Sequence, residues 1–217
     1  MHIFILTIFP DYFTTPLGTS ILKRAQTTAV SYSVINLRDY ATDSYKTTDD
    51  RPFGGGPGMV MKIEPIDLAL KALFKEHQLD RQKCKVVLTS AKGTVFTQPT
   101  AMVYAQLDAL IIICGHYEGV DERVAEHLID EEVRIGDYVL TGGEPAALVM
   151  ADAVTRLIPG VLGNEASNQG ESHSQPGVMG YPQYTRPETY NDWSIPAVLM
   201  GGNHADIKKW REAQRKK

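Results

Sequence analysis

The run Leu110-Ile111-Ile112-Ile113-Cys114 constrains this chain more than any other feature. It is continuously apolar, of strand length, and it stops at a glycine. A strand with one wet face alternates apolar and polar residues, so a run with no polar face must be covered on both sides. That places it inside a parallel sheet with helices on both faces. The rest of the chain supplies the parts. Strand-like segments at 2–8, 31–37, 84–89, 109–114 and 132–135 alternate with helix-like segments at 16–28, 64–76, 98–106, 121–129 and 144–158. Such alternation predicts an α/β fold. With 217 residues, 43% of them hydrophobic, a core of ordinary size is available.

Several classes are excluded early. The apolar start, MHIFILTIFPDYF, lacks a basic beginning and a small-residue cleavage site, so it reads as a first strand rather than a signal peptide. No run is long enough to cross a membrane. Cys84 and Cys114 lie beside apolar runs and make neither a disulfide framework nor a metal spacing; plain buried thiols and a cytoplasmic location are expected. The net charge of −4 argues mildly against nucleic-acid binding, but charge is uneven. The last ten residues, KKWREAQRKK, carry six basic groups and one acid. They are either an RNA-contacting tail or a solvated helix end.

Two stretches break the α/β rhythm. Residues 41–59 are polar and glycine-rich, and a loop of that length inside a compact domain is usually functional or disordered. Residues 160–187 are rich in Gly, Ser, Asn, Gln and Pro and read as a linker, followed by a short amphipathic end from about residue 195.

Three glycine-bearing segments carry chemistry. Gly54-Gly55-Gly56-Pro57-Gly58 lacks the Gly-Lys-Ser/Thr ending of a phosphate-binding loop and has Met59 where a dinucleotide fingerprint needs glycine, which excludes a P-loop hydrolase. It is a close-approach backbone for a ligand or a plain surface loop. Gly115-His116-Tyr117-Glu118-Gly119 follows the most buried strand, at the end where open α/β sheets bind ligands. Asp121 and Glu122 beyond it read more simply as helix N-terminal acids. Ile135-Gly136-Asp137-Tyr138-Val139-Leu140-Thr141-Gly142-Gly143-Glu144 repeats the pattern, ending in glycines that open a helix, and the two segments could form facing walls of one pocket. Their bare backbone could read the edge of an adenine while Tyr138 and Leu140 cover its face. Asp152 and Arg156, at i and i+4, make an exposed ion pair or hold the arginine ready for an anion or base carbonyl.

Taken together, IFPDYF, LRDYATDSYKTTDDRPFGGGPGM, CGHYEGVDERV, IGDYVLTGGE, DAVTRLIPGVLGNEAS, YPQYTRP and LMGGNHADIKKWR, in order over nearly the whole chain, resemble the bacterial tRNA (guanine-N1)-methyltransferase family, of the knotted class often called SPOUT. The resemblance implies a parallel sheet with helices on both faces and a deep C-terminal trefoil knot, plus a small helical C-terminal domain. The implied organisation is a knotted cofactor-binding domain at 1–160, an active-site linker at 161–175 and a shortened tRNA-binding domain at 176–217. It implies S-adenosylmethionine as cofactor, tRNA as substrate, methylation at N1 of guanine 37 beside the anticodon, and a homodimer whose active sites draw on both subunits. Cofactor contacts are expected at Thr89, Ser90, Ala91 and Gly93, at Gly115, Tyr117, Glu118 and Gly119, and at Ile135, Gly136, Tyr138, Leu140, Gly142 and Gly143. Substrate contacts are expected at Gly55, Gly56, Pro57, Gly58 and Met59, and at Arg186, His204, Lys208 and Arg211. The resemblance leaves room for a magnesium ion, although the residues show no metal-ligand spacing.

Methyl transfer to guanine N1 needs a base, because that nitrogen is protonated at neutral pH. It also needs a cation near O6, where charge develops. Arg156 matches the family's cation. The family places an aspartate as the base in an Asp-Ser-Phe or Asp-Ser-His stretch; here the stretch is Glu171-Ser172-His173, and no aspartate occurs between Asp152 and Asp192. Glu171 is the expected base, with His173 its rival and Glu165 too near the helix end. Other departures are Ala91 where proline is common, Pro145-Ala146 after the double glycine, and an early end after KKWREAQ. The alternative readings are a knotted methyltransferase acting elsewhere on RNA and a non-catalytic RNA-binding paralogue that has lost its base.

Overall fold

In the computed structural model of the protein, residues 1–163, 171–174 and 177–215 are described. The chain divides into two compact units, Met1–Gly163 and Asn164–Lys217. The first holds a five-stranded sheet of β1 (His2–Thr7), β2 (Ser31–Asn36), β5 (Cys84–Val95), β6 (Ala109–Cys114) and β7 (Glu131–Arg134). Two-residue strands β3 (Asp49–Asp50) and β4 (Val60–Met61) pair separately as an antiparallel ladder. The sheet order is β2-β1-β6-β5-β7 and every pairing within it is parallel.

The central apolar run sits where its composition requires. On β6, Leu110, Ile112 and Cys114 point to one face, while Ala109, Ile111 and Ile113 point to the other. Its partner β1 splits the same way, into Ile3 and Ile5 against Phe4 and Leu6. The first face is covered by α2 (Ser20–Ala25), α4 (Gln98–Tyr104) and α6 (Glu144–Thr155). Helix α6 presents Ala147, Met150, Ala151 and Val154, the i, i+3, i+4, i+7 stripe of an amphipathic helix. The second face is covered by α3 (Ile63–Glu76) and α5 (Glu122–His127), with Ile66, Ala69, Leu70 and Leu73 forming the matching stripe on α3. Val161 belongs to the core of this unit, so the chain beyond α6 remains packed to that point.

Three local departures from the sequence reading have physical causes. The helix expected over 16–28 is two short helices, α1 (Thr14–Leu17) and α2, because Thr19 is extended and Ser20 adopts a φ of 51°. The strand expected to stop at residue 89 continues to Val95, because Thr94 and Val95 rejoin β7 after residues 90–93 loop out of register. The polar stretch 41–59 is pinched by the β3–β4 ladder, with residues 41–48 before it and the glycine-bearing residues 51–59 within it outside helix and strand.

The second unit contains a hairpin, β8 (Thr189–Tyr190) and β9 (Trp193–Ser194), turning through Asn191 and Asp192 at positive φ. It also contains α7 (His204–Gln214), whose N-cap Asn203 side chain accepts from the amides of Ala205 and Asp206. Among the described residues no helix is long and apolar enough to cross a membrane.

His2 stacks on Phe4, with ring centroids 3.8 Å apart, and meets His77 edge-on at 5.3 Å. Burial first, then the neighbouring His77 and the N-terminal ammonium, push its pKa down to about 4 from 6.5. A histidine whose folded pKa is depressed is neutral in the fold, so its contribution is full above 6.5 and lost as pH falls from 6.5 towards about 4. Urea unfolding between pH 4 and 7.5 is expected to show stability falling in that window, with a shallower fall in His2→Gln.

Candidate functional site

The loops leaving the carboxyl ends of β5, β6 and β7 converge on one point. Gly143 N–H donates to the Gly115 carbonyl at 2.7 Å, and Gly142 bridges His116 in antiparallel fashion. Thr89 Oγ1 accepts from the Gly115 amide at 3.1 Å and donates to the Ile113 carbonyl at 3.2 Å. The chain leaving β7, at one edge of the sheet, thus crosses the end of β5 to reach the end of β6 before it enters α6.

This crossing explains two of the glycines more directly than ligand contact does. A Cβ on Gly143 would lie 1.9 Å from Thr89 Oγ1, 2.8 Å from Gly115 N and 3.0 Å from Cys114 Cα. A Cβ on Gly115 would lie 2.8 Å from the Thr89 carbonyl oxygen. Backbone meets backbone here, and no side chain fits between. Gly136 serves another purpose: a Cβ there would lie 2.3 Å from the Tyr138 ring, which folds back over it.

Above the crossing lies a cavity of about 430 Å³, within the range of small-molecule sites. Thr89, Ser90 and Ala91 form one wall, contributed by the β5 bulge. Gly115, Tyr117, Glu118 and Gly119 form the second. Ile135, Gly136, Tyr138, Leu140, Gly142 and Gly143 form the third. The lining is mixed: Val139, 85% exposed, and Tyr138, 56% exposed, are its apolar exposed part. Lys92 lies on the lining too, bonding Glu122 at 2.5–2.7 Å and approaching Glu132 at 3.6 Å. The hydrogen bond to Glu122 raises its pKa. Gly93 is the exception among the expected cofactor residues. It lies outside the lining, and a Cβ there would be 2.4 Å from the Glu132–Val133 backbone, so this glycine serves the return of β5 onto β7.

The stretch just after the glycine-rich segment 54–58 is stitched to the second wall. Glu118 N–H donates to the Met59 carbonyl at 3.0 Å, Met61 N–H to Gly119 at 2.9 Å, and Asp121 N–H to Met61 at 3.0 Å. Gly58 packs against the Glu118 side chain, while Gly54 and Gly55, both at positive φ, have nothing within 4 Å of a built Cβ. Gly58 and Met59 therefore stand against Glu118 of the second wall, while Gly55, Gly56 and Pro57 are outside the cavity lining. Asp121 is the N-cap of α5, accepting from the Arg123 amide and bonding its guanidinium, which holds the Asp121 carboxyl below its usual range. The helix-cap reading of this acid holds.

The sequence reading gave Glu144 only as the end of the third glycine segment and assigned it no role; it is a buried polar group at the crossing. Glu144, 3% exposed, accepts from Thr7 Oγ1 at 2.8 Å, and its other oxygen stands 3.8 Å from His116 Nδ1. The available signal was an acid directly after a double glycine at a helix start. Cys114 lies fully buried nearby; burial, and then the Glu144 charge, raise its thiol pKa well above the usual value, which makes it a packing residue.

Arg156 is the C-cap residue of α6. Gly142 and Gly143, at the opposite end, line the cavity. Twelve helical residues separate the two ends, about 18 Å at 1.5 Å per residue. The arginine and the cavity of one chain are therefore not brought together.

In the second unit, Glu171 opens a turn in which the Ser174 amide and hydroxyl both donate to its carbonyl, at 3.2 and 2.7 Å. His173, at φ 64°, donates its amide to the Val178 carbonyl at 2.8 Å, and Ser172 Oγ accepts from the Gly180 amide at 2.9 Å. Glu165 lies outside the described residues. Arg186 and Arg211 border a groove of about 580 Å³, and the Arg211 guanidinium sits 4.9 Å from the centre of the Tyr181 ring. His204 and Lys208 share the exposed face of α7.

A parallel α/β sheet whose strand-end loops cross beside a cavity defines the class: an α/β protein with a small-molecule-sized cavity at the carboxyl edge of its sheet. The relatives give the family. The profile of tRNA (Guanine-1)-methyltransferase TrmD matches residues 1–217, and the chain belongs to that family. It is 51% identical over 211 residues to a tRNA (guanine-N(1)-)-methyltransferase of Ruminiclostridium cellulolyticum, covering 97% of this chain and 89% of the relative. It is 50% identical to one of Bacillus cereus, covering 99% and 86%. Its structure matches the crystal structure of tRNA (m1G37) methyltransferase from Aquifex aeolicus with a TM-score of 0.79 at 36% identity, over 97% of this chain and 87% of that one.

If Gly143 serves the crossing, Gly143→Ala should lower stability by about 3 kcal/mol or prevent folding. Gly163→Ala, with nothing within 4 Å of the added carbon, should stay within about 0.5 kcal/mol of the parent protein in urea unfolding.

Proposed function

We propose that this chain transfers a methyl group from S-adenosylmethionine to N1 of guanine 37 of tRNA. The observation that carries the reading is the strand-end cavity at the crossing, in a chain of the tRNA (guanine-1)-methyltransferase family. The residues suit that cofactor. Bare backbone at Gly136 and Gly142 offers hydrogen-bonding groups for an adenine edge, and Tyr138 and Leu140 offer apolar cover for its face. When bound, the cofactor supplies a methyl group already activated by its sulfonium, so the chain's task is to prepare the nucleophile.

That task falls to Glu171 and Arg156. The Glu171 carboxylate accepts the proton from guanine N1, and the turn fixed by Ser174 holds its backbone. Arg156 stabilises the charge that builds on O6. Gly55 to Met59 flank the entering base, and Arg186, His204, Lys208 and Arg211 contact the tRNA, orienting it without reading sequence.

Two further features follow. An arginine one helix length from its own chain's cavity is best used by a second copy, which supports a homodimer with shared active sites. The passage of residues 135–143 across the end of β5, beside the out-of-register loop 90–93, supports reading this region as a deep trefoil knot. The replacement of aspartate by glutamate at position 171 favours the second reading, an RNA-binding relative that has lost its base.

The test is methyl transfer from labelled S-adenosylmethionine to an unmodified tRNA transcript carrying guanine or adenine at position 37. Methylation of the guanine transcript alone is expected; cofactor binding with transfer to neither transcript would establish the second reading. Glu171→Gln is expected to abolish transfer while cofactor affinity stays within a few-fold. Wild-type turnover in that variant would pass the role to His173.

A further inference from the structure

The buried group beneath the crossing forms a closed circuit. Thr7 Oγ1 accepts from the Phe9 amide at 2.9 Å and donates to Glu144 Oε1 at 2.8 Å. Glu144 Oε2 faces His116 Nδ1 at 3.8 Å. The His116 ring returns to Phe9, which it meets edge-on at 4.9 Å, and on its other side meets Tyr117 at 5.0 Å and 88°. The circuit joins the first strand, the second cavity wall and the start of α6. A Cβ on Gly142 would lie 2.4 Å from both Glu144 Oε2 and His116 Nδ1, so the third wall is packed between the two side chains.

Two of its features call for a function. Among the described residues, His116 Nδ1 is buried without a hydrogen-bond partner, which is unfavourable unless a small movement supplies one. The Glu144 carboxylate, 3.8 Å away, is placed to supply it. Next to it, Tyr117 has a φ of 59°, a left-handed conformation that is unfavourable by about 1–2 kcal/mol outside glycine. Tyr117 lines the cavity. A strained residue at a binding surface persists only where its surroundings hold it.

From these observations, and resting on the reading of the cavity as the S-adenosylmethionine site, we infer that His116 and Glu144 are a positioning pair that braces the second and third walls for the cofactor. The Nδ1–H of His116 closes onto Glu144 when the cavity is filled, and the ring then holds Tyr117 over the ligand. Neither residue touches the reacting atoms. Thr7 keeps the carboxylate aimed, and Phe9 keeps the imidazole upright.

The test uses the full chain and measures binding of S-adenosylmethionine and S-adenosylhomocysteine by calorimetry, alongside KM for each substrate. His116→Phe keeps a ring between Phe9 and Tyr117 but removes the donor. It is expected to weaken cofactor binding roughly ten-fold, the equivalent of one hydrogen bond to a charged group, and to leave KM for tRNA within two-fold. His116→Arg, which restores a hydrogen-bond donor opposite Glu144, is expected to recover most of the affinity. In combination with Glu144→Gln, His116→Phe should weaken binding little further. A His116→Phe variant that binds the cofactor like the parent while melting earlier would overturn the brace, as would additive losses in the double variant. If Glu144→Gln does not fold, the Phe and Arg variants at position 116 decide alone. Parent protein that binds neither ligand would instead overturn the reading of the cavity.

Discussion

Everything distinctive about this molecule depends on the contact between the backbones of Gly143, Gly115 and Thr89. A parallel sheet brings strand ends together, but it does not oblige their loops to touch. Here the segment after the edge strand β7 returns across β5 and hydrogen-bonds to the end of β6, at a separation that excludes a Cβ. The contact sets the floor of the cavity and the starting point of α6. The direction of α6 then sets where Arg156 stands.

The same contact creates an electrostatic problem and uses it. Placing the first turn of α6 beneath the crossing buries Glu144. Burying a carboxylate is unfavourable unless hydrogen bonds and charges compensate. Thr7 supplies one bond, and the helix N-terminus supplies a favourable dipole. The remaining oxygen faces His116 on the cavity wall. The group that stabilises the crossing is thereby joined to the residues that shape the ligand site.

The two halves of the proposed chemistry come from opposite ends of one helix. The N-terminal end of α6 borders the cavity and the C-terminal end carries Arg156. A rigid helix cannot bring its own ends together. On the proposed reading a second copy of the chain completes the set; the separation itself is a property of helix length rather than of any contact.

Much of this was legible in order along the chain. The apolar run at 110–114 required a doubly covered strand, and its two sets of alternating side chains lie in two different cores. The stripe on α3 and the glycine-bearing segments after β6 and β7 were equally readable, because periodicity and backbone freedom are local properties. The looping-out of residues 90–93 was not readable, since it depends on where β7 rejoins β5. Nor was the reason for Gly93, Gly115 and Gly143, because a glycine required by a crossing backbone looks the same in sequence as one required by a ligand. Thr7, His116 and Glu144 are separated by more than a hundred residues at the widest span, and only tertiary packing makes them neighbours. Sequence alone determined where the five strands of the main sheet lie, which faces are apolar and which family motifs are present; the tertiary structure decided the short ladders and which loops cross, because those choices rest on contacts between residues far apart in the chain.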